Sequence, residues 1–339
     1  MTLEVFLDDT PGELRAVVER NGRAEHILIE RADEAPQTRV GARLIARVKQ
    51  AAPGLKGVFV DLGGGHEAFM PVKGDTPAVG AKVEVEITAG AREQKAPVAR
   101  RIGAGEGEVR LLTAAPTLMQ TLERLAPGAE IVTGREAIEA GWRAVDEAQG
   151  AATVPGGLVH VQRTRAMITV DVDLNAHDMG RARPKDETNR LALREAARLI
   201  RLNRWGGLVA IDLIGTQLDG QVILKAAKAA FGADSSAVIG PVNRFGVLML
   251  SLPWREPPLE EVLYADPGVR RFRPAQLAQE AARRLRFALL ENTGRARVVL
   301  ACGPVLAAQV GPLVAELGPR AHLKVDAAAG GDVFSIEAE

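Results

Sequence analysis

The sequence predicts an α+β protein of more than one domain, and three observations carry that expectation. A chain of 339 residues is long enough for about two domains. Residues 41–101 read as short strands broken by glycine-rich turns with no helix among them, the pattern of a small barrel. From Pro155 onward strand and helix patterns alternate, as in a layered α/β domain.

Taken in order, residues 1–39 alternate apolar and polar positions around Asn21-Gly22, a dipeptide suited to a tight hairpin, with 17–20 and 26–30 as its arms. The barrel segment, 40–103, offers strands at 44–48, 57–62, 67–71 and 82–87. Gly63-Gly64-Gly65 and Lys73-Gly74-Asp75 punctuate them. Residues 104–150 are rich in Ala, Glu and Arg and read as two helical pieces. The first is 117–125 after Pro116, the second 135–148 after the candidate cap Thr133. Nothing in that stretch announces chemistry. A layered domain over 151–262 follows. In the last region, 263–339, a helix over 276–290 precedes a βαββ-like tail from 296 to 336. There is no internal repeat.

Composition narrows the function classes. Basic and acidic residues balance at 43 each, which counts against a generic polyanion binder but not against local basic faces. Aromatic residues make up only 4% of the chain, so each exposed Phe or Trp carries more weight as a stacking candidate. The single cysteine, Cys302, sits in an apolar run and reads as a buried structural thiol. It supports neither a disulfide framework nor a cysteine-based zinc site. The first residues lack a basic patch followed by an apolar core, and no apolar run is long enough to span a bilayer. The expectation is a soluble, cytoplasmic protein with no membrane segment.

The chemistry concentrates between Gly156 and Gly246. Two β-branched, apolar runs each deliver an aspartate: Ile168-Thr169-Val170-Asp171-Val172-Asp173 and Leu208-Val209-Ala210-Ile211-Asp212. The stretch 188–204 between them reads as a helix closed by Trp205-Gly206-Gly207, with a glycine available for the left-handed cap. A strand–helix–strand unit can set its strands side by side, and acids on neighbouring strands can share one hard divalent cation. Such an ion activates water and neutralises charge on a phosphate. Read singly, each acid is equally a surface residue at a strand end.

Arg190, Arg194, Arg198 and Arg201 recur at helical spacing and line one face. Arginine forks suit phosphate, although a solvated surface stripe is the plainer meaning of such a row. Arg181, Arg183 and Lys185 precede this helix in a proline-containing loop, and Arg244 lies in Val242-Asn243-Arg244-Phe245-Gly246. The five histidines show no metal-ligand spacing, and His177 is the one that sequence places near the acids. Phe59 and Phe69 flank the triple-glycine turn. Spacing leaves open whether they form an outward stacking platform for single-stranded nucleic acid or fill the barrel core.

As an ordered set these residues resemble the ribonuclease E/G family. In the barrel region the resemblance, to an S1-type OB fold, rests on Gly57-Val58-Phe59-Val60-Asp61-Leu62-Gly63 and Phe69-Met70-Pro71. In the core it rests on Pro155-Gly156-Gly157, Ile168-Thr169-Val170-Asp171, Thr188-Asn189, Gly206-Gly207-Leu208, Ile211-Asp212-Leu213-Ile214 and Arg244-Phe245-Gly246. The resemblance implies an S1-type barrel, a deoxyribonuclease-I-like α/β catalytic domain and a small C-terminal α/β region. It implies Asp171 and Asp212 as catalytic Mg²⁺ ligands, with Asp173 where many members carry a supporting asparagine. Arg244 matches a contact to the substrate phosphate. Phe59, Phe69 and, more loosely, Lys95 match RNA contacts, and Arg181, Arg190 and Arg194 are further candidates for RNA binding. The reaction implied is Mg²⁺-dependent hydrolysis of single-stranded RNA, leaving a 5′-phosphate and a 3′-hydroxyl, in RNA processing or decay.

The departures from the pattern matter equally. Gly215 stands where several members have a further aspartate, and Met249 replaces a position that is often acidic. The region that builds a 5′-monophosphate sensor is missing between Lys95 and Asp171, so 104–150 is either a connector or a reduced remnant of it. With Cys302 alone, a homo-oligomer remains open but not one joined through a cysteine–zinc link. Arg283, Arg284 and Arg286 offer a second basic face, or simply the polar side of an amphipathic helix. The alternative to a nuclease is an RNA-binding protein of the same fold, of a ribosome-biogenesis type, with weak or no cleavage.

Overall fold

The structure is a computed structural model and describes residues 2–93, 95–174, 185–215 and 218–339. The chain forms two compact units. One comprises Met1–Ile87, Arg100–Ala144 and Glu260–Glu339, the other Thr88–Ala99 and Val145–Leu259.

The first unit opens with three antiparallel strands, β1 (Leu3–Asp8), β2 (Glu13–Arg20) and β3 (Arg23–Arg31). Asn21 and Gly22 both take positive φ, 52° and 73°, the two-residue turn whose twist matches the strands it joins. A closed five-stranded, OB-like barrel follows. Its strands are β4 (Arg43–Ala52), β5 (Gly57–Gly63), β6 (His66–Pro71), β7 (Lys82–Ala89) and β8 (Val98–Ala104), in the order β5-β6-β8-β7-β4 with β4 pairing back to β5. The period-2 alternation explains its interior: Val58, Val60, Leu62, Met70, Val83, Val85 and Ile87 are almost fully buried, while their neighbours face outward. β9 (Arg110–Thr113) adds to the outside of β4.

Residues 117–133 belong with the N-terminal sheet. Helix α1 (Leu118–Leu125) starts in a capping box, in which Thr117 and Gln120 bond each other's backbone N–H groups. Its Leu118 and Leu122 pack on Val5, Ala16 and Val18, and β10 (Ile131–Thr133) pairs in parallel with β1. Helix α2 (Arg135–Gln149) follows.

The second unit is built on a six-stranded sheet in the order β11-β12-β13-β14-β16-β15. The strands are β11 (Ala152–Val154), β12 (Gly157–Arg163), β13 (Ile168–Leu174), β14 (Gly207–Asp212), β15 (Val238–Val242) and β16 (Val247–Leu252). Helices α3 (Lys185–Leu202) and α4 (Gly220–Phe231) cover one face. There Ala192, Leu193, Ala196, Ile200, Ile223 and Ala227 meet Val159, Val170, Val172, Val209, Ile211 and Leu248. Only β13 and β14 run parallel; β12–β13 and β14–β16 are antiparallel.

The helix linking the two aspartate strands ends differently from the sequence expectation. Its left-handed residue is Arg204 (φ 59°), not a glycine. Trp205 N–H reaches Ile200 O at 3.0 Å and Arg204 N–H reaches Arg201 O at 2.9 Å, the paired bonds of a Schellman turn. Gly206 is needed for another reason: a Cβ there would lie 2.8 Å from the backbone of Pro253 and Trp254.

The chain closes in the first unit. The short elements α5 (Leu259–Leu263), β17 (Tyr264–Asp266) and β18 (Arg271–Phe272) lead to α6 (Pro274–Glu291). The βαββ tail is β19 (Val298–Cys302), α7 (Pro304–Glu316), β20 (Ala321–Val325) and β21 (Phe334–Ala338), with β19 central, parallel to β20 and antiparallel to β21. Cys302 is fully buried in its core. No described helix is long and apolar enough to cross a membrane.

Candidate catalytic site and nucleic-acid interface

Strand alternation sends Val170, Val172 and Ile211 into the helix-covered core, and so turns Asp171, Asp173 and Asp212 to the uncovered face, where all three are exposed. The register of the parallel pair sets Asp171 directly opposite Asp212. Asp212 is the last residue of β14, so the pair lies toward the carboxyl end of that strand, where open α/β sheets hold their ligands. Among the described residues neither carboxylate has a side-chain hydrogen-bond or ion-pair partner. Like charges set opposite each other destabilise a sheet unless a cation lies between them.

Asn189, in the first turns of α3 and fully buried, fixes the chain just beyond Asp212. Its Nδ2 donates to Ile214 O and its Oδ1 accepts from Ile214 N–H, both at 3.0 Å. The chain leaving β14 is thereby clamped to the helix.

Arg244 sits at the tip of the β15–β16 hairpin. Asn243 Oδ1 accepts from Phe245 N–H (2.9 Å) and Val247 N–H (3.1 Å), and Val247 is in turn the register partner of Asp212. The Arg244 guanidinium carbon lies 4.8 Å from the centroid of the Phe245 ring, and Phe245 is 73% exposed. Asp171, Asp212 and the Arg244 hairpin are therefore gathered at one end of one sheet.

Two carboxylates on adjacent strands suit a hard cation that keeps several waters and takes its remaining oxygens from a phosphate, as Mg²⁺ does. Among the described residues no group of three or more His, Cys, Asp and Glu side chains is arranged to hold a metal, and Asp173 faces the same side of the sheet as the opposed pair. It stands two residues further along β13, opposite Leu158 of β12. Gly215 takes φ +111°, a conformation in which an aspartate would be strained. Met249 is half-buried on the uncovered face, opposite Ala210.

The arginine row of α3 is not a single exposed stripe. The helix lies on the covered face, and Arg198 turns inward, 2.7 Å from Glu195 and 2.6 Å from Glu147. It is buried, so the row does not form one solvent-facing stripe; Arg194 is exposed and Arg190 and Arg201 are half-buried. The sequence signal failed because helical spacing cannot report that Glu195 and Glu147 draw one member of the row inside. Arg181, Arg183 and His177 lie outside the described residues. Lys185 is the exposed first residue of α3.

The structure adds a histidine that spacing missed. His160 of β12 is exposed and directly opposite Asp171 in the antiparallel register. Only the β12–β13 pairing reveals it. Also unmarked in sequence is a cluster around Trp254, where the guanidinium carbons of Arg92 and Arg163 lie 4.8 and 5.5 Å from the ring centroid. Lys95, exposed and in the same unit, pairs with Glu93 at 3.2 Å, and Arg163 reaches the same carboxylate at 3.1 Å. The Lys95 ammonium, bonded to Glu93 and joined by Arg163, holds that carboxyl below its usual range.

In the first unit Phe59 and Phe69 are register partners on β5 and β6. They are half-buried on the outer surface of the barrel, edge to face at 5.5 Å between centroids. Of the two open alternatives, core filling is excluded, since Val58, Val60, Ala68 and Met70 fill the interior and the two rings face outward. Phe69 lies over Gly57, where a Cβ would come within 2.4 Å of the ring. Of the two readings of the α6 arginines, the second basic face is not free. Arg283 is fully buried on Asp8 (2.5 Å), Glu13 (2.7 Å) and Glu280 (3.3 Å). Arg286 pairs with Asp8 and Asp9, and Arg284 pairs with Glu280 and packs on Trp142.

No curated protein matches the chain. The model of the Ribonuclease E/G family matches residues 145–252. That stretch runs from the end of α2 through β16 and contains the opposed aspartates, the Asn189 clamp and the Arg244 hairpin; over it the chain is similar to the Ribonuclease E/G family.

Proposed function

We propose that this protein is an endoribonuclease that cuts single-stranded RNA at the Asp171–Asp212 pair, leaving a 5′-phosphate and a 3′-hydroxyl. The observation that carries the reading is the register of Asp171 against Asp212 inside the family-matched stretch. The same reading takes the second unit as the deoxyribonuclease-I-like catalytic domain and the OB-like barrel as an S1-type RNA-binding module.

Asp171 and Asp212 would hold Mg²⁺, which when bound lowers the pKa of a bound water and offsets negative charge on the phosphate. The two carboxylates orient what they bind from fixed strands, since sites on rigid elements keep their geometry better than sites on loops. Arg244 presents a planar fork at the hairpin tip and offsets charge on the phosphoryl oxygens as it builds. Phe59 and Phe69 offer ring faces to unpaired bases, a sequence-tolerant contact that suits single strands.

The test is cleavage of a labelled, unstructured, A/U-rich RNA with Mg²⁺ and with EDTA, beside an Asp171→Asn/Asp212→Asn double variant. Cuts that require Mg²⁺ and vanish in the variant are expected, at equal rates on 5′-phosphate and 5′-hydroxyl substrates. Salt-sensitive RNA binding without cleavage would replace this reading with that of an RNA-binding protein.

A further inference from the structure

Phe245 is a large apolar ring placed where folding gives it nothing to cover. It is 73% exposed at the tip of the β15–β16 hairpin, and among the described residues it is the one aromatic side chain in the group of strongly exposed large hydrophobics. A chain with only 4% aromatic residues spends one of them there. The tip is held rather than loose. Asn243 Oδ1 accepts two backbone N–H groups, and Asn243 and Val247 close the hairpin with a 3.0 Å backbone bond. Gly246, at φ +83°, completes the turn.

Its position relative to the acids follows from register. Phe245 is two residues from Val247, about 7 Å of extended chain, and Val247 faces Asp212 across an antiparallel pair whose Cα atoms lie about 5 Å apart. The Arg244 guanidinium rests on the ring, leaving much of the ring in solvent. We propose that Phe245 is a base-stacking platform for the nucleotide beside the scissile phosphate, the base lying on the ring while Arg244 takes that nucleotide's phosphate. This rests on the nuclease reading for the identity of the phosphate, but not for the stacking itself. The residue would set which base is tolerated next to the cut, through stacking strength rather than hydrogen-bond readout.

The experiment is a double-mutant cycle on binding, run in EDTA so that no cleavage intervenes. A fluorescent single-stranded RNA of about ten nucleotides is titrated with wild type, Phe245→Ala and Phe245→Trp. Each RNA is then made abasic at one position at a time. Stacking predicts a loss of roughly 5- to 100-fold for Phe245→Ala on intact RNA and recovery by Phe245→Trp. It also predicts one abasic position that weakens wild type by a similar factor and Phe245→Ala no further. Losses that add at every position would mean that the ring acts only by holding Arg244, and would overturn the proposal. Unchanged affinity of Phe245→Ala, or no RNA binding by wild type, would overturn it too. If the cycle shows coupling but Mg²⁺ supports no cleavage, only the nuclease reading falls; cleavage with an additive cycle removes only the stacking.

Discussion

Asp171 and Asp212 face each other across a parallel strand pair. That arrangement carries a signature independent of activity. Replacing one of two opposed like charges removes a repulsion, so Asp212→Asn is expected to be slightly more stable than wild type in EDTA, by less than about 1 kcal/mol. Wild type should gain thermal stability from millimolar Mg²⁺ by mass action, and Asp212→Asn should not. Melting curves with and without the ion check both parts; equal Mg²⁺ responses would remove the pair as the metal site. The same charge keeps the aspartates exposed: a carboxylate turned into the core beside Val170 and Ile211 would lie among apolar side chains with nothing to pair it.

At the scale of elements, the site depends on a helix that packs on the covered face of the sheet. Asn189 of α3 bonds both backbone groups of Ile214, two residues past Asp212. Asn189→Ala would leave a buried N–H and a buried C=O without partners, and is expected to cost about 2–4 kcal/mol in urea denaturation. Cleavage should fall more than stability alone explains, because the end of β14 loses its anchor. Asn189→Gln, whose longer side chain cannot make the same paired bonds, should not restore it. The Thr188-Asn189 signpost was readable in the sequence, while its partner Ile214, 25 residues away, was not. The arginine row shows the opposite outcome: its spacing is helical as expected, yet Arg198 is drawn into a buried pair with Glu195.

At the scale of the whole chain, the first unit is held by a buried charge network that joins residues some 270 positions apart. Arg283 meets Asp8 and Glu13, and Glu13 also meets Arg15 and Arg31. Burial pushes the Glu13 carboxyl up, but Arg15, Arg283 and Arg31 outweigh it and hold the pKa at about 2 instead of 4.5. A depressed pKa means stability that is complete above about pH 4.5 and is lost as pH falls toward 2. The gap corresponds to about 3 kcal/mol. Denaturation of the Glu13→Gln variant should therefore depend less on pH across this window than wild type does. Arg283→Met should lose about 3–5 kcal/mol at neutral pH, because Asp8, Glu13 and Glu280 lose the one fully buried cation they share. A variant as stable as wild type would show that the network is not stabilising.

How much could be read from the chain alone follows from the range of the interactions involved. Local signals were sufficient for the Asn21-Gly22 hairpin, for the two helices within 104–150, for the βαββ tail and for the two aspartate strands, because turn chemistry and side-chain periodicity are set by near neighbours. The order Asp171, Asp212, Arg244 was legible as a family pattern. Tertiary structure decided what depends on register and packing. It set Asp171 opposite Asp212 and His160 opposite Asp171, and turned Phe59 and Phe69 outward while their neighbours filled the barrel. It also spent the arginines of α6 on internal acids. A shift of one residue in strand pairing would send the strand side chains among these to the other face, and periodicity along a single strand carries no information about its partner's register.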